Sequence, residues 1–224
     1  MGGLIQTKGT RRLAKLFNGC FDDSATGITL ARTLTSSTEE VLPSRRSQQH
    51  RPRVLSDLFK KFHRAFPEVT YELLWESPTI NAQAWRLGSA QFVRVYGGLV
   101  RHPAITKYGL ALMLAHETGH HLGGLPRDPA MPWMTWQGQA DYWAASVAMP
   151  RIWGPRASGA TLRAAREILK LHRMLESQFD DDEPDLSPDC RHSIFRSGAL
   201  GLDMPSCALE AFALISRDGR MSEE

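Results

Sequence analysis

The stretch Ile-Thr-Lys-Tyr-Gly-Leu-Ala-Leu-Met-Leu-Ala-His-Glu-Thr-Gly-His-His-Leu-Gly-Gly, residues 105–124, decides the fold of this 224-residue chain. Its apolar residues recur with helical periodicity up to the histidines, and a pair of glycines follows directly. Because glycine commonly ends a helix, the pattern predicts a helix over 105–122 that stops at Gly123 and Gly124. The pattern H-E-x-x-H therefore lies in the last turns of an apolar helix.

The segments around this helix predict an α+β fold. Apolar residues at helical spacing predict an amphipathic helix from Val54 that ends before Pro67. The remaining predicted elements are strands over 69–75, 80–87 and 91–96, and helices over 137–149 (ended by Pro150), 161–179 and 206–215. Short strands between turn signals indicate a small antiparallel or mixed sheet, with further helices on its C-terminal side.

The N-terminal quarter of the chain lacks a clear pattern of helices or strands. Residues 33–53 are rich in Ser, Thr, Arg, Gln and Pro and show little apolar periodicity. We therefore predict a weakly structured arm or linker over residues 1–53 and one domain over residues 54–224.

Composition excludes several classes of protein. Hydrophobic residues make up 42% of the chain and charged residues 23%, close to the average of globular proteins, which excludes a fully disordered chain, a collagen and a coiled coil. The longest apolar run, residues 110–115, is far shorter than the ~20 residues of a membrane-spanning helix. A net charge of +3 is too small to argue for nucleic acid binding.

The three cysteines, Cys20, Cys190 and Cys207, form a poor disulfide framework, and no pair has zinc-finger spacing. No apolar stretch follows the basic residues near the N-terminus, so no secretory signal is recognised. We therefore expect a cytoplasmic protein with reduced thiols. A Cys190–Cys207 bridge stays open if the protein is exported by another route.

Residues His116, Glu117 and His120 form the H-E-x-x-H pattern. Four residues are little more than one helical turn, so both imidazoles lie on one helix face and can ligate one Zn²⁺ ion. Zinc lowers the pKa of a bound water to about 7, and Glu117 is placed to accept that proton and return it to a leaving amine. The pattern predicts a zinc site with Glu117 as the general base.

A catalytic zinc needs a third protein ligand, and the predicted helix over 137–149 offers two candidates. Gln137 and Asp141 are four residues apart and share a face, while the other face carries small residues that allow close helix packing. An anionic oxygen is the better zinc ligand, which favours Asp141 on chemistry alone.

Four segments of the chain resemble the gluzincin metallopeptidases, over roughly residues 54–150. They are Asn81-Ala-Gln-Ala-Trp85, Phe92-Val-Arg-Val-Tyr-Gly-Gly98, Ala115-His-Glu-Thr-Gly-His-His-Leu-Gly-Gly124 and Gln139-Ala-Asp-Tyr-Trp-Ala-Ala145. The chain looks like a minimal soluble form of the HtpX and CAAX-protease group, and Ala148-Met-Pro150 also resembles the ImmA/IrrE regulatory peptidases. The resemblance implies a zincin-like fold in which the sheet packs on the active-site helix.

The family pattern on the second helix is E-x-x-A-D, in which the Glu is the third zinc ligand and the Asp orients the first histidine. Gln137 occupies the Glu position here, and Asp141 occupies the Asp position. The resemblance therefore implies His116 and His120 as ligands, Glu117 as base and Asp141 as the orienting carboxylate. Three arrangements stay open: Gln137 ligates through its neutral amide, Asp141 ligates instead, or metal affinity is reduced.

The resemblance also implies that the strand Phe92–Tyr96 is the sheet edge on which an extended peptide substrate pairs. Stabilisation of an oxyanion needs a hydrogen-bond donor, for which the candidates are Tyr142, His121, His172 and Arg191. We expect zinc-dependent hydrolysis of peptide bonds without a covalent acyl-enzyme. The alternatives are a catalytically weakened or inactive gluzincin-fold binding protein, since Gln137 replaces the family's Glu, and an ImmA-like regulator. The sequence determines neither the substrate nor the oligomeric state.

Overall fold

A computed structural model of the chain describes residues 21–22, 45–128, 131–175 and 186–220, which form the predicted α+β fold and are mostly helical. The helices are α1 Arg45–Ala65, α2 Gly97–Arg101, α3 Lys107–Leu122, α4 Gln137–Trp143, α5 Met149–Trp153, α6 Ala157–Leu175, α7 Pro188–Leu200 and α8 Ser206–Arg220. The strands are β1 Phe21–Asp22, β2 Val69–Leu74, β3 Ala82–Leu87 and β4 Ala90–Tyr96. Most of the predicted arm, residues 1–20 and 23–44, lies outside the described residues, as do residues 176–179 of the predicted helix over 161–179.

The sheet is small and mixed, as predicted, with the strand order β1-β3-β4-β2. Strands β3 and β4 are antiparallel, whereas β2 runs parallel to β4 and β1 runs parallel to β3. The prediction that Phe92–Tyr96 forms the sheet edge is wrong, because β4 is paired on both sides. Side-chain alternation within a strand does not encode its neighbours, so the position of β4 follows only from the path of the whole chain.

Helix α3 lies at the centre of the core. All of its residues from Gly109 to His121 are buried, in contact with the sheet on one side and with other helices around it. Large apolar side chains that pack around it include Phe62, Phe66, Val93, Val95 and Ile168. Each such side chain contributes about 1.5–3 kcal/mol when fully buried, so the helix that carries the histidines is rigidly held.

Both ends of α3 have capping interactions. The Thr106 hydroxyl accepts a hydrogen bond from the Tyr108 N–H, and the Glu167 carboxylate of α6 accepts bonds from the Thr106 and Gly109 N–H groups. A negative charge at a helix N-terminus also complements the helix dipole. At the other end Gly124 has a φ of 78°, a conformation that favours glycine, and the helix stops there as the sequence predicts.

Helix α1 begins at Arg45, nine residues before the predicted domain boundary at residue 54, and it contains Pro52. The prediction of weak structure is therefore wrong for residues 45–53. The reason is a tertiary contact: Nη1 of Arg51 donates to the carbonyl oxygens of Val100, His102 and Ile105 at 2.7–3.0 Å. Contacts with residues 49 or more positions away cannot be inferred from local composition.

The helical path after α4 also differs from the prediction. The predicted helix over 137–149 does not end at Pro150, because a π-helical segment, Ala144–Ala148, leads into α5, and Pro150 lies in its first turn. Proline is tolerated there, since an N–H in a first turn needs no intrahelical acceptor. Helices α2 and α7 were not predicted, although Ser187 before Pro188 and the left-handed Gly201 are an identifiable start and stop for α7.

Cys190 of α7 and Cys207 of α8 form a disulfide bond, which corrects the expectation of reduced thiols. Disulfides persist in oxidising compartments, so the bond weighs against the predicted cytoplasmic location, although the compartment itself stays a prediction. Among the described residues, no helix combines the length and the apolar character needed to cross a membrane.

Candidate metal centre

The two histidines of the H-E-x-x-H pattern point at each other from successive turns of α3. Nε2 of His116 lies 3.0 Å from Nε2 of His120, and the two rings are almost fully buried. Glu117 lies beside them, with one carboxylate oxygen 3.9 Å from Nε2 of His116. Together His116, Glu117 and His120 form a cluster that could hold a metal ion, since each offers an atom within 4.8 Å of the others.

The second nitrogen of each ring has an acceptor behind it. Nδ1 of His116 lies 2.6 Å from a carboxylate oxygen of Asp141, and Nδ1 of His120 lies 2.8 Å from the carbonyl oxygen of Thr135. Because both partners accept hydrogen bonds, the Nδ1 atoms carry the protons. Burial, and then the neighbouring His116, hold the pKa of His120 well below its usual range, so this ring is neutral at neutral pH.

This arrangement leaves an electron pair on Nε2 of His120 that faces Nε2 of His116. Two acceptor nitrogens 3.0 Å apart repel each other unless a proton or a cation lies between them. The donor set thus fits a metal ion on chemical grounds, because imidazole nitrogens are the preferred ligands of zinc and related ions.

Asp141 lies on the far side of His116 from His120, and both of its oxygens have partners. Arg191 of α7 donates from Nε to Oδ2 at 2.7 Å and from Nη2 to Oδ1 at 2.8 Å. Burial alone would raise the pKa of Asp141, but the charge of Arg191 and the hydrogen bonds from Arg191 and His116 outweigh it and hold the pKa well below its usual range. The structure therefore places Asp141 where it orients His116 and stays ionised.

Helix α4 reaches this position because of a glycine. A Cβ atom at Gly119 would lie 2.9 Å from the backbone oxygen of Ala140, so only glycine lets α3 and α4 approach this closely. Asp141, the next residue, then reaches His116.

Gln137 lies one turn before Asp141 on the same face of α4. Asp141, four residues after it, bonds to His116, and Thr135, two residues before it, bonds to His120. The Gln137 side chain is buried, and neither its amide oxygen nor its amide nitrogen has a hydrogen-bond partner within the part of the chain that the structure describes. Buried amides without partners are rare, and a metal ion is one kind of partner that would satisfy this one.

The four oxyanion candidates separate into two pairs. The Tyr142 hydroxyl donates to the Leu202 carbonyl, and Nε2 of His121 lies 2.9 Å from the Phe92 carbonyl, so these two groups have other partners. Arg191 lies against the His116 ring, with Nη2 3.4 Å from Nε2. Burial is the main cause that lowers the pKa of His172 to about 3, and the nearby charges of Arg191 and Asp141 also act on this ring.

Sequence reasoning named Arg191 only as one oxyanion candidate and missed its bidentate pair with Asp141. The helix that carries it was not predicted, and a capped helix at 188–200 is the signal that could have placed it. The disulfide at Cys190, the residue before Arg191, joins α7 to α8 and adds a constraint on that helix.

Comparison with family models, with curated proteins and with solved structures finds no match to this chain. The function is therefore inferred from the geometry of the site.

Proposed function

We propose that this chain is a zinc-dependent metallopeptidase of the gluzincin type. The observation that carries the proposal is the pair of inward-facing Nε2 atoms of His116 and His120, 3.0 Å apart, with Glu117 beside them and Asp141 behind His116. Isolated core histidines do not need a carboxylate on the opposite nitrogen, whereas metal-ligating histidines almost always have such a partner.

In this proposal His116, His120 and Gln137 hold the ion. Asp141 is not a ligand, because its oxygens are engaged by His116 and Arg191. Gln137 is the better third candidate, because its buried amide has no other partner among the described residues. When bound, zinc would supply Lewis acidity, which polarises a peptide carbonyl and acidifies water.

Glu117 is the general base. Its carboxylate accepts a proton from the attacking water and delivers it to the nitrogen of the leaving amine, so that no covalent bond to the protein forms. The side chain is fully buried, and a low-dielectric surrounding strengthens its electrostatic action on the reacting atoms. Arg191 and Asp141 act indirectly, because they keep the His116 ring in one orientation and tautomer.

The test begins with metal analysis of the full-length protein and continues with cleavage of a mixed peptide library, followed by mass spectrometry. We expect about one zinc per chain, and a loss of turnover of about 10²–10⁴-fold in Glu117→Gln with zinc retained. Glu210→Gln is the matched control, because Glu210 is exposed on α8 and should have no effect. Cleavage that survives Glu117→Gln, or a protein that binds no metal, would refute the proposal.

A second candidate is a catalytically weakened or inactive gluzincin-fold binding or regulatory protein. It is favoured by Gln137, whose neutral amide is a weaker zinc ligand than the carboxylate of the family pattern. Tight zinc binding without cleavage of any library peptide would select this candidate, and Gln137→Glu would then be expected to restore turnover.

A further inference from the structure

Two arginines flank one tryptophan next to the candidate metal centre, and we call Arg86, Arg127 and Trp133 the arginine rim. The guanidinium of Arg86, on β3, lies over the Trp133 ring at 4.9 Å from its centroid. Nη1 of Arg127 donates to the Trp133 carbonyl oxygen at 3.2 Å. The rim therefore joins strand β3 to the segment that links α3 and α4.

The arginine rim is connected to the metal ligands by short contacts. Nη1 of Arg127 also donates to the Thr135 hydroxyl at 3.2 Å, and the carbonyl of the same threonine accepts from Nδ1 of His120. On the other side, the His121 ring stacks on Trp133 at 5.5 Å between centroids. The rim thus borders the site at the end of α3 where His120 lies.

The positive charge of the rim is not compensated among the described residues. Within the described ranges, Arg127 donates to neutral oxygens, and Arg86 donates to Nδ1 of His121 at 3.5 Å. Burial, and then repulsion by the charge of Arg127, lower the pKa of Arg86. By contrast, Arg94 on the neighbouring strand forms an ion pair with Glu72 at 3.0 Å.

A further observation indicates that an acceptor belongs here. The indole Nε1 of Trp133 is buried and has no hydrogen-bond partner in the described segments, so the rim contains an unused donor besides the two guanidinium groups. Strand β1 already pairs with the outer edge of β3 at Trp85 and Arg86, so a ligand of the rim contacts its side chains and not the backbone of this edge.

We propose that the arginine rim binds a carboxylate of a peptide, so that the enzyme selects acidic peptide substrates. The carboxylate is an Asp or Glu side chain or a free C-terminus, which offer the same chemistry to a guanidinium group. The inference rests on the proposed function, because it names the substrate class of that same site.

The experiment measures peptide binding to the zinc-loaded, full-length Glu117→Gln protein by fluorescence anisotropy. The probes are fluorescein-labelled eight-residue peptides of Ala and Ser, each with one Glu or one Gln at a chosen position, and each made with a free or an amidated C-terminus. Every peptide is also measured with a second substitution in the protein, either Arg86→Gln or Arg127→Gln. Arg94→Gln is the matched control, because that arginine already has a carboxylate partner.

We expect at least one carboxylate to improve binding about tenfold over its neutral counterpart, with the gain lost in Arg86→Gln and Arg127→Gln and kept in Arg94→Gln. A gain from Glu over Gln identifies a side-chain carboxylate, and a gain from the free acid over the amide identifies the C-terminus. Equal binding of all charged and neutral peptides, no peptide binding, or a preference that survives both rim substitutions would overturn the inference.

The result also separates this inference from the proposed function. Cleavage of neutral peptides by the unmodified protein, without any charge preference, would leave the metallopeptidase in place and remove the acidic specificity. Rim-dependent binding of acidic peptides that are never cleaved would keep the rim as a binding site and remove the peptidase.

Discussion

Replacement of Arg191 by methionine tests whether the buried ion pair holds the candidate site together. Asp141 is fully buried, and Arg191 supplies two hydrogen bonds to it at 2.7 and 2.8 Å. Removal of one partner of a buried ion pair costs about 3–5 kcal/mol, because the remaining charge keeps its desolvation penalty. At about 2–4 °C per kcal/mol for a chain of this size, the melting temperature should fall by about 6–20 °C.

The assay is urea and thermal unfolding of the metal-free, full-length protein at pH 7, so that zinc does not contribute. Arg173→Met is a matched control, because Arg173 bonds to Asp189 at 2.6 Å but both side chains are more than half exposed. Exposed pairs contribute about 0–1 kcal/mol, so this variant should unfold almost as the parent does.

A double-mutant cycle with Asp141→Asn separates the ion pair from general damage to the core. If the pair acts as inferred, the double variant is less destabilised than the sum of the two single variants by at least about 1 kcal/mol. The reasoning is refuted if Arg191→Met costs less than about 1 kcal/mol, or if the two substitutions add independently.

Three further outcomes are expected. Gln137→Glu should tighten zinc binding by about tenfold or more, because it adds an anionic ligand. It should also destabilise the metal-free protein, because the new carboxylate is then buried alone. Calorimetry with and without chelator measures the zinc affinity and the melting temperature. Gly119→Ala should lower the free energy of unfolding by about 1–3 kcal/mol and weaken zinc binding, because its Cβ would lie 2.9 Å from the backbone oxygen of Ala140. The control Gly159→Ala should not destabilise the protein, because a Cβ there meets nothing within 4 Å. Equal melting temperatures of the two variants would contradict this prediction. Burial lowers the pKa of His121 to about 4, below the unfolded value of about 6.5. As the pH falls, the unfolded state therefore binds the proton first, and about 3 kcal/mol of stability should be lost between pH 6.5 and pH 4. Denaturation curves of metal-free His121→Gln should depend less on pH over that range.

Much of the fold around α3 was predictable because it depends on the pattern of apolar residues and glycines within short segments of the sequence. Apolar periodicity and the glycine pair predict a helix over 105–122, and the structure has α3 at Lys107–Leu122. The strand predicted over 91–96 is β4, Ala90–Tyr96. By contrast, the start of α1 at Arg45 depends on contacts of Arg51 with distant carbonyl groups, which composition does not report.

The candidate site also has one part that was predictable from the sequence and one part that was not. A spacing of four residues on a helix is sufficient to place two imidazoles on one face, so His116, Glu117 and His120 could be grouped from the sequence alone. Whether Asp141 would ligate or orient could not be decided, because the answer depends on how closely α4 approaches α3 and on the arginine that α7 brings to it.

The sequence by itself determined which residues form the central helix and which of its faces carries the H-E-x-x-H pattern, because helical periodicity relates residues that are close in the chain. The tertiary structure alone decided that β4 is interior, that Arg191 holds Asp141 and that Cys190 pairs with Cys207. These features join segments that are distant in the chain, and their positions are set by packing of the whole core rather than by any local pattern.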